Sequence, residues 1–65
     1  MSKDKYLEAI RSQGVEPETK GSAIYIGSVK VATVNNDVVT PVATKELMGE
    51  PLVASIVCIA NMRAK

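Results

Sequence analysis

Leu52-Val53-Ala54-Ser55-Ile56-Val57-Cys58-Ile59-Ala60 carries one hydroxyl and no charge, and its reading decides the fold. A continuous apolar run describes a strand buried on both faces as well as it describes a helix covered on most sides. Val53, Ile56, Val57 and Ile59 are β-branched, which suits a strand. Length and flanks point the other way. The run exceeds a typical strand, and Pro51 stands where a first helical position favours proline. Arg63 and Lys65 complement the C-terminal end of a helix dipole. The reading adopted is a C-terminal apolar helix, with a buried strand as the alternative.

Before this run, Thr44 is placed to cap a short helical turn through Met48, ended by Gly49. Earlier still, from Ala23, the apolar period is two. Gly27-Ser28 suits a type II′ hairpin turn, which sets Ile26 opposite Val29, Tyr25 opposite Lys30 and Ile24 opposite Val31. That register sorts the four aliphatics onto one face. Asn36-Asp37 makes a second turn, with Val34 opposite Val39 and Thr33 opposite Thr40. The expected sheet is a three-stranded antiparallel meander over 22–26, 29–34 and 38–43. Its second face would carry Ala23, Tyr25, Ala32, Val34 and Val39.

The chain opens on a helix from about Lys3 to Gln13. Ser2 is its N-cap, Asp4 lies in its first turn, and Tyr6, Leu7, Ala9 and Ile10 form its apolar stripe. Gly14 supplies the left-handed residue that ends it. Val15 to Ser22, punctuated by Pro17 and Gly21, reads as a solvated loop. The expected architecture is α+β in one domain over residues 1–65: helix, meander, helix. The double-stranded-RNA-binding domain shares this element order. Its lysine-rich second-helix start and Gly-Pro-x-His loop are absent from this chain, which has no His, so the order transfers no function.

Sixty-five residues barely suffice for a self-sustaining core. The usual staples are missing. Cys58 is alone, so no intrachain disulfide forms, and one Cys with no His makes no zinc set. Asp4, Asp37 and the five Glu residues show no cation-loop spacing. A lone thiol among aliphatics suits a reducing, cytoplasmic setting. Leu52–Ala60 is about half the ~20 residues of a membrane-spanning helix. Eight basic and seven acidic residues interleave to a net +1, which makes a mixed surface and does not recommend nucleic acid.

No catalytic pattern emerges. Cys58 has no histidine to act as its base, so a packed thiol in the core or at an interface is expected. Glu16 and Glu18 flank Pro17 on the polar loop beside Lys20. No cofactor is implied. Lys20, Tyr25, Lys30 and Lys45 are the candidates for contact with a phosphorylated ligand.

The apolar excess is therefore the main functional signal. Leu52, Ile56 and Ile59 are expected to pack on the sheet, leaving Val53, Val57 and Ala60 on an exposed flank as an interface, with Val34 and Val39 as a second contact. The expected function is a non-enzymatic homo-oligomer that occupies a cellular protein, an accessory inhibitor or adaptor of the kind that bacteriophages and mobile elements carry. The alternatives are a sequestering binder of a small phosphorylated ligand at the subunit interface and a nucleic-acid-binding regulator.

Overall fold

The computed structural model describes residues 1–64; Lys65, read above as a dipole partner, lies outside the described residues. Helix α1 (Lys3–Arg11) is followed by strands β1 (Glu18–Lys20), β2 (Ala23–Ile26), β3 (Val29–Asn35) and β4 (Val38–Pro41), a single 3-10 turn (Thr44–Leu47) and helix α2 (Pro51–Arg63). The sheet is antiparallel in the order β1-β2-β3-β4. The last element is a helix, as its proline start implies, and the alternative strand does not form.

Capping sets the limits of α1. The Ser2 hydroxyl accepts the Lys5 N–H at 3.2 Å, and beyond Arg11 the backbone tightens into 3-10-type bonds from Gln13 to Ile10 and from Gly14 to Arg11. Gly14 then turns with φ of +83°. A Cβ built there meets no atom within 4 Å, so only backbone conformation opposes a side chain. Gly14→Ala is expected to lower unfolding free energy by about 1 kcal/mol, read by urea denaturation, with Gly14→Asn costing less.

Both hairpin turns form where the residue types require them. Gly27 has φ of +64°, while Asn36 and Asp37 take +52° and +64°, the pair of positive values that a type I′ turn demands. Val34 pairs with Val39 and Thr33 with Thr40, as read from the sequence. Ile26 pairs with Val29 and Tyr25 with Lys30, but Ile24 pairs with Ala32 rather than Val31. The register shifts there, and one extra residue enters β3.

This bulge corrects the assignment of faces. An added residue reverses the alternation beyond it. Val31 and Ala32 are both buried, and Val34, expected on the outer face, packs against the core. Val39 is buried too. Val31, Ala32, Val34 and Val39 thus gather in the core with Ile24 and Ile26, whereas Val38 is 53% exposed. A fourth strand, β1, pairs Glu18 with Tyr25, Thr19 with Ile24 and Lys20 with Ala23, where a loop was expected.

The opposite edge is closed by the chain's own first residues. Ser2 bridges Val38, Lys3 N–H donates to the Asp37 carbonyl at 3.0 Å, and Val39 N–H donates to the Met1 carbonyl at 2.8 Å. Pairing an edge in this way removes it as a template for other chains. The core joins Tyr6, Leu7, Ala9 and Ile10 of α1 with Ile24, Ile26, Val31, Ala32 and Val39 of the sheet, Leu47, and Val57, Ala60 and Ala64.

Candidate interaction surface

Two side-chain bridges fix the rotation of α2. The Gln13 amide donates to the Ile56 carbonyl at 3.0 Å and to the Ala9 carbonyl at 3.2 Å. Arg63 Nη1 donates to Ser12 Oγ at 2.9 Å, and that hydroxyl donates in turn to the Ala9 carbonyl at 2.8 Å. With the end of α1 tied to α2 at both points, the small residues Val57, Ala60 and Ala64 face inward. They allow close approach to Tyr6 and Ile10.

The face expected to lie outside is therefore the one that lies inside. Val57 and Ala60 are fully buried, and Val53 is half-buried against the core. Together with buried Val39 and core-packed Val34, the five proposed interface residues serve mainly to hold the subunit together. Leu52, assigned to the sheet, is 80% exposed, and Met62 is 68% exposed. Ile56 packs against the core as expected, whereas Ile59 is half-buried.

The outward stripe of α2 consists of Leu52, Ser55, Ile59 and Met62, spaced three, four and three residues apart, with exposed Cys58 beside it. Met48, just before the helix, is 76% exposed. No residue from Pro51 to Met62 is charged. Cys58 is thus on the surface, which excludes the core setting expected for it as one of two, the other being an interface.

The sheet's other face has a different character. Lys30 stands opposite Tyr25, and the Lys20 ammonium sits 5.6 Å from the centre of the Tyr25 ring and 3.6 Å from a Glu18 carboxylate oxygen. Three of the four phosphate-contact candidates therefore share one surface. Lys45 follows β4, at the far edge from Lys20. Glu18 offsets one of the two gathered lysines, so the patch amounts to one net positive charge.

Glu16 pairs with Arg11 at 3.3 Å, with both side chains exposed, so no carboxylate dyad forms with Glu18. A shallow cleft of about 380 Å³ between α1 and α2 is lined by Lys5, Glu8, Ala9, Ser12 and Arg63. Among the described residues no group of three His, Cys, Asp or Glu side chains is placed to hold a metal ion. No helix among them is long and apolar enough to cross a membrane.

Inside, Tyr6 is fully buried and its hydroxyl finds no hydrogen-bond partner among the described residues. Burial pushes its pKa up to about 12. No protein-family model, curated protein or solved structure matches this chain.

Proposed function

We propose that this protein is a non-enzymatic interaction module that works as a homo-oligomer through the outward face of α2, in the role of a small accessory inhibitor or adaptor on a cellular protein. The observation that carries the reading is the exposure of Leu52 and Met62 on a helix with no charge from Pro51 to Met62, with exposed Met48 ahead of it beyond Glu50. Single exposed apolar residues are ordinary, but several large ones in line with no intervening charge are the mark of a contact surface.

Size gives the same direction. A domain this small has little core to spare, and association adds burial that its interior lacks. The stripe is about 15 Å long and one helix wide, short of the ~800 Å² per partner of a standard interface. A weak contact is expected, rather than an obligate assembly.

Sedimentation equilibrium from a few micromolar to about 1 mM is expected to show mass rising above the 6.9 kDa of one chain. Leu52→Glu with Met62→Glu is expected to hold the chain at one copy while leaving its circular dichroism unchanged, because both side chains already face solvent. A wild-type chain that remains at 6.9 kDa throughout the range overturns the reading.

A further inference from the structure

We draw no further inference here: the strongest candidate, the outward surface patch of α2 formed by Leu52, Ile59 and Met62, belongs to the contact surface already described, and nothing in the structure shows what covers it.

Discussion

Val57→Asp is expected to unfold the protein at neutral pH, with loss of the far-ultraviolet helix signal and of cooperative melting. Val57 is fully buried, packed in the cluster with Tyr6, Ile10 and Val31. A carboxylate there has no cation to meet, because among the described residues no charged side chain belongs to the core. Stranding an isolated charge in such a place costs several kcal/mol even after relaxation. The whole stability of a domain at this size sits near the lower end of about 5–15 kcal/mol.

Two comparisons show that the cause is burial. Val57→Ala removes the same contacts without introducing a charge and is expected to cost about 2 kcal/mol, leaving a folded protein. Leu52→Asp puts the same carboxylate on the same helix, but at a position already 80% exposed, and is expected to leave the fold intact. A folded, cooperatively melting Val57→Asp variant would show that α2 sits on the core with a different face from the one described.

The contrast between positions 52 and 57 also shows where sequence reading reaches its limit. The boundaries were legible because each depends on one or two residues with special chemistry: Ser2 as a cap, Gly14 and Gly27 at positive φ, Asn36-Asp37 in a tight turn, and Pro51 at a helix start. The orientation of α2 was not. A helix with no charge from Pro51 to Met62 gives little periodic contrast to mark its inward face. Its rotation is chosen by Gln13 and Arg63, polar residues that reach between helices, and by the closer packing that Val57 and Ala60 allow.

The sheet departs from the expected meander at two places, each for a local reason. β1 is built from Glu18, Thr19 and Lys20, all exposed, whose role is to satisfy the backbone of β2, and backbone pairing leaves no apolar signature. The bulge in β3 inserts one residue among Val29, Val31 and Val34, where either neighbour is apolar enough to face inward. The candidate surface was legible in kind, an apolar excess near the C-terminal end of the chain, but its residues were not. Those read as its edge became core, and Leu52, read as core, became its edge.

Tyr6 is expected to dominate the alkaline limb of stability. In an unfolded chain a tyrosine loses its proton near pH 10, whereas burial holds the Tyr6 proton up to about pH 12. Between those values the unfolded chain has given up a proton that the folded chain keeps, so unfolding becomes easier as pH rises. Stability is unaffected by this group below about pH 10 and falls by about 1.4 kcal/mol per pH unit above it, roughly 2–3 kcal/mol by pH 12. Urea midpoints collected from pH 8 to 12 read this slope.

Tyr6→Phe isolates the effect and carries a second consequence. The Tyr6 hydroxyl is buried without a hydrogen-bond partner among the described residues, so folding strips it of water and returns nothing. Phenylalanine keeps the ring that fills the space beneath α2 and discards the orphaned group. The variant is expected to gain about 1 kcal/mol at pH 7 and to lose the Tyr6 share of the alkaline slope. The two signatures have one origin, a phenol placed where neither its neutral nor its charged form finds a polar contact. A Tyr6→Phe protein that is less stable at pH 7, with the wild-type decline intact above pH 10, would mean that the hydroxyl is engaged and that another group governs the alkaline transition.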